Sequence, residues 1–169
     1  SGQAYANGQL EAALDFADAS IRCGTDAATR AQALFLRAQI LSWLGRYEEQ
    51  REAAESAISY AELGTDTWGE AQRLAASALR ELGRPTEAES RFAWVLGNPR
   101  LSQLSLSVQS KLHAERTRAL IDIGRATEGA ESAETAIRTA DEAGESGTHA
   151  MLRALDARFM ATAFLGDFS

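Results

Sequence analysis

Apolar residues recur along this chain at helical spacing, and short polar breaks divide the pattern into segments. The first segment has Leu10, Ala13, Leu14, Ala17 and Ile21 on one face, the stripe of an amphipathic helix. Runs of strict apolar and polar alternation, which strands would need, are missing from the sequence. The pattern predicts a short stub, Gln3 to Asn7, and then eight helices: Leu10 to Cys23, Ala27 to Leu44, Tyr47 to Leu63, Trp68 to Leu82, Pro85 to Leu96, Leu101 to Ile123, Ala126 to Ala143 and Thr148 to Leu165.

Five glycines follow helix-forming segments at nearly constant spacing. Gly8, Gly45, Gly83, Gly124 and Gly166 are separated by 37, 38, 41 and 42 residues. A period of this size is typical of stacked helical hairpins, which bury their apolar faces only against neighbours. Small residues recur nine and twelve positions after the glycines, and Leu recurs four positions before them. We predict that each glycine ends a helix in a left-handed conformation and that the small residues let paired helices approach closely.

Several single residues carry local predictions. Thr67 and Glu70 have the spacing of a capping box, which would start the helix at Trp68. Cys23 is expected to be a small buried packing residue. Trp94 is expected to lie in the core, because large aromatic side chains dominate core packing. Trp68 is expected to fix the loop at the start of its helix.

Three segments of the chain resemble the turn of the tetratricopeptide repeat (TPR): Leu-Gly-Arg-Tyr-Glu-Glu (44–49), Leu-Gly-Arg-Pro-Thr-Glu-Ala (82–88) and Ile-Gly-Arg-Ala-Thr-Glu-Gly (123–129). The resemblance covers nearly the whole chain. It implies an all-α, right-handed superhelical solenoid of antiparallel helix pairs, with about eight helices. The chain would form a single domain, 1–169, of approximate units 1–24, 25–64, 65–98, 99–145 and 146–169. The period exceeds the usual ~34 residues, and in this the repeats look more like those of large LuxR-type bacterial transcription activators.

Composition and charge exclude several classes of function. The net charge of −7 disfavours nonspecific binding to nucleic acid or to an anionic membrane. One cysteine excludes an internal disulfide and a cysteine-based zinc site. His113 and Glu115 project in different directions on a helix, and His149 with Glu145 lacks the further ligands that a zinc site needs. We therefore expect no enzymatic activity, no cofactor and no metal, and we expect a cytoplasmic protein without a membrane span.

The resemblance also implies where a ligand would lie. Ligand-facing residues of that family are on the first helix of each pair, about six and ten positions before the turn glycine. These and adjacent positions give the candidate groove residues Phe35, Gln39, Trp43, Arg73, Ser77, Arg80, Glu115 and Arg118. Arginine binds carboxylates in a bidentate fork, so the groove is suited to an acidic or amphipathic peptide. The alternative is that these arginines only pair with acidic residues on the same face, namely Glu70, Glu81, Glu115 and Asp122.

The main functional hypothesis is a non-enzymatic domain of a larger bacterial regulator that binds a protein or peptide in its concave groove. A small-molecule effector in the groove and a purely structural or oligomerisation arm are the alternatives. The last predicted helix carries Met151, Leu152, Leu155, Phe159 and Leu165, more apolar bulk than a capping helix exposes. We therefore expect the natural polypeptide to continue at both ends with more hairpins, and this fragment to self-associate through its C-terminal helix.

Overall fold

The computed structural model describes residues 2–23, 26–144 and 149–166, with side chains described from residue 8 in the first helix and from residue 151 in the last. Within these ranges the chain forms eight α-helices, a 3₁₀ helix and no strand. The helices are α1 (Gly2–Cys23), α2 (Ala27–Trp43), α3 (Tyr47–Tyr60), α4 (Asp66–Glu81), α5 (Pro85–Leu96), α6 (Leu106–Asp122), α7 (Ala126–Glu142) and α8 (His149–Leu165).

The helices stack as the repeat predicts. α2 pairs with α3, α4 with α5 and α6 with α7, and each of these pairs also packs against the first helix of the next unit. α2, α4, α6 and α8 lie side by side and form one face of the array, the concave face. The predicted all-α solenoid of antiparallel pairs is thereby confirmed.

The turn glycines end the first helix of each pair. Gly45, Gly83 and Gly124 have φ angles of 70°, 76° and 78°, in the left-handed region that glycine enters without a steric penalty. The N–H of the arginine that follows each glycine donates to a carbonyl oxygen, at 3.0, 2.9 and 2.8 Å. The acceptor is the leucine that lies four residues before that glycine. This is the Schellman arrangement, which satisfies a carbonyl group at the helix end.

The small residues at repeating positions are buried as predicted. Ala54, Ala57, Ala133 and Ala136 have no exposed surface, and Phe92 and Val95 take the equivalent places in α5. Because alanine has a single methyl group, helices that meet at these positions approach closely. The main apolar clusters lie between successive pairs and hold the stack together.

Three predicted boundaries were wrong. Gly8 is not a turn, because α1 runs unbroken through it; a glycine inside a helix costs only about 1 kcal/mol. α6 begins at Leu106 rather than Leu101, because Pro99–Gln103 forms a 3₁₀ helix and Ser105 caps α6 through the N–H of Val108. Thr65, not Thr67, caps α4: its hydroxyl accepts from the N–H of Trp68 at 3.3 Å.

Two single-residue predictions were also wrong. Cys23 is exposed, because it lies in the last turn of α1 beyond the packed stretch. Trp94 is 57% exposed on the outer side of α5, whereas Trp68 is buried in the core. The two indole rings meet edge to face with centroids 6.1 Å apart, an arrangement that aromatic rings prefer. The buried member of the pair is therefore the one at the start of α4.

Candidate functional site

A polar pocket lies on the concave face where α2, α4, α6 and α8 meet. It encloses about 260 Å³, and we call it the concave pocket. Its lining comes from the four first helices and the start of α3: Gln39, Ser42, Trp43, Tyr47, Gln50, Glu70, Arg73, Leu74, Ser77, Arg80, Glu81, Lys111, Glu115, Arg118 and Arg153.

Seven of the eight candidate groove residues line this pocket: Gln39, Trp43, Arg73, Ser77, Arg80, Glu115 and Arg118. Phe35 does not line it; this side chain is half-buried and packs against the apolar clusters that join α1 to α4. The candidate groove residues did not include Lys111 and Arg153, and Glu70 was named only as a partner of the arginines. Each of these lies thirteen positions before a turn glycine, so the periodicity itself held the signal for all three.

Charged side chains of α4, α6 and α8 form a connected network across the pocket floor. Glu70 accepts from Arg73 Nε at 2.7 Å and from Lys111 Nζ at 2.8 Å. Glu115 lies at the centre of the network, with Arg73 and Arg118 guanidinium nitrogens each 3.9 Å from its Oε1. Arg153 of α8 donates to the same oxygen. Buried charges persist only when they are paired in this way, so the network ties three repeats together.

The pairing keeps both carboxylates ionised. Burial alone would raise the pKa of Glu115, but Arg73, Arg118 and Arg153 outweigh it, and the pKa lies below its usual range. Glu70 behaves in the same way, since Arg73 and Lys111 offset the effect of burial and lower its pKa. In contrast, burial lowers the pKa of the Arg153 guanidinium, although Glu115 partly compensates.

The structure decides between the two interpretations of Arg73. Its side chain is buried and is held by Glu70 and Glu115, which fits the alternative in which arginines pair within the face. Replacing Arg73 by glutamate would place a third carboxylate beside Glu70 and Glu115, and we expect it to destabilise the fold. Arg118 pairs with Asp156 of α8, and Arg80 pairs with Glu81 and, at 3.5 Å, with Asp122. The side chains of Arg118 and Arg80 are more exposed than that of Arg73.

Three residues that line the concave pocket each have one buried polar atom without a protein partner. These atoms are the amide oxygen Oε1 of Gln50, the hydroxyl Oγ of Ser77 and the Nε of Arg80. The other end of the Gln50 amide is fixed, because Nε2 donates to the carbonyl oxygen of Leu74 at 2.9 Å. A buried polar atom without a partner costs about 1–3 kcal/mol. The three residues line the concave pocket, and the unpaired atoms themselves are buried.

Trp43 forms the rim of the pocket beside these atoms. Its side chain is 62% exposed although it is a large aromatic group, and Tyr47 follows it across the turn. Exposed tryptophan next to fixed polar groups is typical of binding surfaces, because the ring contributes large contact area at a low entropic cost.

Of the remaining titratable candidates, the structure describes the side chain of His113. His113 is buried between α6 and α7, and burial together with Arg116 and Arg138 lowers its pKa to about 4. Its ring nitrogen Nδ1 lies 3.4 Å from the hydroxyl of Ser132. The His149 side chain and Glu145 lie outside the described residues. Among the described residues no group of His, Cys, Asp and Glu side chains has the geometry of a metal site.

None of the described helices is both long and apolar enough to cross a lipid bilayer.

No protein-family model and no curated protein matches the chain. Solved structures do match. A variant of the "putative kinesin light chain nearly identical TPR-like repeats" from Podosopora anserina superposes with a TM-score of 0.66 at 17% identity, over 96% of this chain and 81% of that one. A Rap protein complexed with Competence and Sporulation Factor gives a TM-score of 0.69 at 14% identity, over 96% of this chain and 52% of that one.

A third similar structure is YrrB, described as a TPR protein with an unusual peptide-binding site. It gives a TM-score of 0.54 at 16% identity, over 99% of this chain and 84% of that one. The identities are too low to transfer function, but the superpositions span nearly the whole chain. The protein has the fold of a TPR-like helical solenoid.

Proposed function

We propose that the protein is a non-enzymatic binding domain that holds a protein or peptide segment with an acidic side chain in its concave pocket. One observation carries the proposal. The concave pocket of this chain, whose net charge is −7, is lined by five cationic and three anionic side chains.

The charge of the pocket determines the ligand's sign. The lining residues carry two more positive than negative charges. Asp156 and Asp122, outside the lining, pair with Arg118 and Arg80 but are themselves exposed, so an incoming carboxylate competes with them for these two arginines. A carboxylate entering this region gains charge-assisted hydrogen bonds, which are about twice as strong as neutral ones. Arg80 and Ser77 lie one helical turn apart on α4 and supply donors on the same side of the pocket.

The aromatic rim determines the ligand's shape. Trp43 offers an exposed ring next to the polar floor, so a segment that places an apolar residue beside an acidic one satisfies both. The volume of about 260 Å³ lies below the ~300–1,000 Å³ of most sites for drug-sized ligands. This favours a peptide side chain over a small-molecule effector. The Rap complex and the peptide-binding site of YrrB are consistent with a peptide ligand on this fold.

The sequence resemblance extends the proposal to a cytoplasmic bacterial protein and to a place in a larger transcription regulator. The supporting observation is the long period between turn glycines. A co-purification of the full-length gene product with RNA polymerase or promoter DNA tests that extension, and its absence from both would remove it.

The binding proposal is tested with a matched pair of variants. Arg80→Gln removes one positive charge inside the concave pocket, and Arg84→Gln removes one from the exposed turn four residues later, where Arg84 pairs with Glu87. The probe is a pool of short fluorescein-labelled peptides rich in Asp and Glu, and the readout is fluorescence anisotropy. Loss of a hydrogen bond to a charged group costs about 1.5–3 kcal/mol, so Arg80→Gln should weaken binding roughly tenfold or more, while Arg84→Gln keeps the wild-type affinity.

Two further measurements serve as controls for this binding test. Trp43→Ala removes an exposed ring without touching the core and should also weaken binding of the acidic pool. A matched pool with Asn and Gln in place of Asp and Glu should bind poorly to every variant. Equal affinity of the Arg80 and Arg84 variants, or equal binding of the two pools, would show that the pocket is not the binding site.

A further inference from the structure

One face of α8 consists of the sequence positions that, in the other first helices, contact the second helix of the same pair. Positions four, seven, eleven and fourteen before a turn glycine are occupied in α2 by Leu41, Ala38, Leu34 and Ala31, all buried. In α6 the same positions contact α7: the hydroxyls of Thr117 and Ser110 donate to the carbonyl oxygens of Gly129 and Ala136.

In α8 the same register leaves an apolar stripe exposed. Its members are Leu152, Leu155, Phe159 and Thr162, and Phe159 is 68% exposed. We call this the α8 stripe. Since the equivalent positions in α2 are buried and α2 pairs with α3, the α8 stripe corresponds to the face of a first helix that packs on the second helix of its pair.

An apolar groove between α1 and α2, at the other end of the solenoid, has the complementary register. The groove encloses about 910 Å³, and we call it the N-terminal groove. Ala13, Phe16 and Ser20 line its α1 side. In α7 the matching positions are Gly129, Ser132 and Ala136, all of which contact α6. The α1 side of the groove therefore corresponds to the face with which the second helix of a pair, such as α7, contacts the first helix of that pair, such as α6.

The α2 side of the groove leads to the same conclusion. Ala33, Leu36 and Ile40 line it. Leu36 lies nine residues before the turn glycine Gly45. The equivalent residue of α4, Leu74, is 2% exposed because α2 and α3 pack over it, whereas Leu36 is 42% exposed. The N-terminal groove thus matches the site that α2 occupies between α3 and α4.

We propose that a second copy of this chain binds head to tail, with its α8 in the N-terminal groove of the first copy. The α8 stripe then packs on Phe16 and its neighbours as α2 packs on α3. The contact continues the interface that already repeats inside the molecule. Charge also favours it: the described part of α8 carries Arg153, Arg158 and Asp156, whereas α1 carries Glu11, Asp15 and Asp18 against Arg22. Neither helix can serve the other within one chain, because α1 packs on α2 and α8 packs on α6 and α7.

This interface joins two different surfaces, so it leaves one free surface of each kind on every dimer and extends into open chains unless a ring closes. That property separates it from a symmetric contact between two α8 helices. Phe16→Glu blocks the N-terminal groove only, and Phe159→Glu blocks the α8 stripe only. Both side chains are mostly exposed, so both variants should keep the wild-type circular dichroism and melting temperature; Leu152→Glu is the substitute if Phe159→Glu does not.

The experiment is light scattering after size-exclusion chromatography, across a concentration series. The wild-type mass should rise with concentration, each single variant should stay a monomer, and an equimolar mixture of the two should give a dimer and no larger species. Trp94→Glu, on an exposed part of α5 outside both surfaces, should associate like the wild type. A wild-type monomer at every concentration would overturn the proposal. Dimers of Phe16→Glu alone, or a mixture that stays monomeric, would overturn it too. Gln39 and Trp43 line both the concave pocket and the N-terminal groove, whereas Arg80 lines the concave pocket. Arg80→Gln should therefore leave association unchanged while it weakens peptide binding, and this variant separates the two results.

Discussion

The buried histidine of α6 makes the stability of this protein dependent on pH in a defined window. His113 lies at the seam with α7, beside Ser132 and close to Arg116, Glu128 and Glu131. Burial is the main cause that lowers its pKa to about 4, and the arginines Arg116 and Arg138 add to it. The imidazole is therefore neutral in the folded protein at every pH above about 4.

The sign and the size of the effect follow from linkage. In the unfolded chain the imidazole has a pKa of about 6.5, so between the two values the unfolded state binds the extra proton. The free energy of unfolding then falls as the pH drops from about 6.5 to about 4. At about pH 5 the loss relative to about pH 7.5 is roughly 2 kcal/mol. Glu70 and Glu115 affect stability only at lower pH, because their pKa values are lowered in the folded protein. The stabilisation that they provide is lost as the pH falls below about 4.3, the pKa of glutamate in the unfolded chain.

Urea denaturation at both pH values measures this effect, with His113→Gln as the control. Glutamine is a conservative choice, since Gln72 holds the equivalent position in α4 and is buried there. The variant should lose roughly 2 kcal/mol less than the wild type between about pH 7.5 and about pH 5. Equal losses in the two proteins would refute the reasoning, because they would show that the imidazole is solvated or already protonated in the folded state.

Four further substitutions, one of them a control, test the packing, the charge network and the cap of α4. Ala57→Leu should overpack the closed seam between α2, α3 and α4 and cost about 1–3 kcal/mol, whereas Ala126→Leu, at the half-buried start of α7, should leave the melting temperature nearly unchanged; similar melting temperatures would contradict the register. Glu115→Gln should cost about 3–5 kcal/mol in urea denaturation, because it leaves buried arginines without their shared carboxylate; an unchanged midpoint would mean that the network adds nothing. Thr65→Ala should lower the free energy of unfolding by about 0.5–2 kcal/mol through loss of the α4 cap, and no change would assign the cap elsewhere.

The sequence predicted the fold well because the repeat fixes both helix ends and packing positions. Gly45, Gly83 and Gly124 mark turns that only glycine adopts easily, and the positions around them are buried in phase. The same rule failed at Gly8, since a glycine is tolerated inside a helix when nothing downstream reverses the chain. Trp94 was misplaced because the sequence of α5 is apolar on more than one side, and only the positions of neighbouring helices decide which side is covered.

The candidate site was predictable in position but not in pairing. Counting back from the turn glycines located seven of the fifteen residues that line the concave pocket, because one face of each first helix repeats. The roles of Arg73 and Arg80 differ, however, since Arg73 meets two buried carboxylates while Nε of Arg80 meets none. That difference depends on side chains brought together from three helices, and residue spacing within one helix does not contain it.

The central claim is that an acidic segment binds in the concave pocket, and the three tryptophans of the chain give the most direct test. Trp43 lies at the rim of the pocket, Trp94 is exposed on α5 far from it, and Trp68 is buried in the core. In a nitrogen-15 NMR titration with the unlabelled acidic peptide pool, we predict that the indole N–H signal of Trp43 shifts while those of Trp94 and Trp68 stay in place, and that the shift weakens as salt screens the charges. A shift of Trp94 with no change at Trp43, or no shift at any indole, would contradict the account.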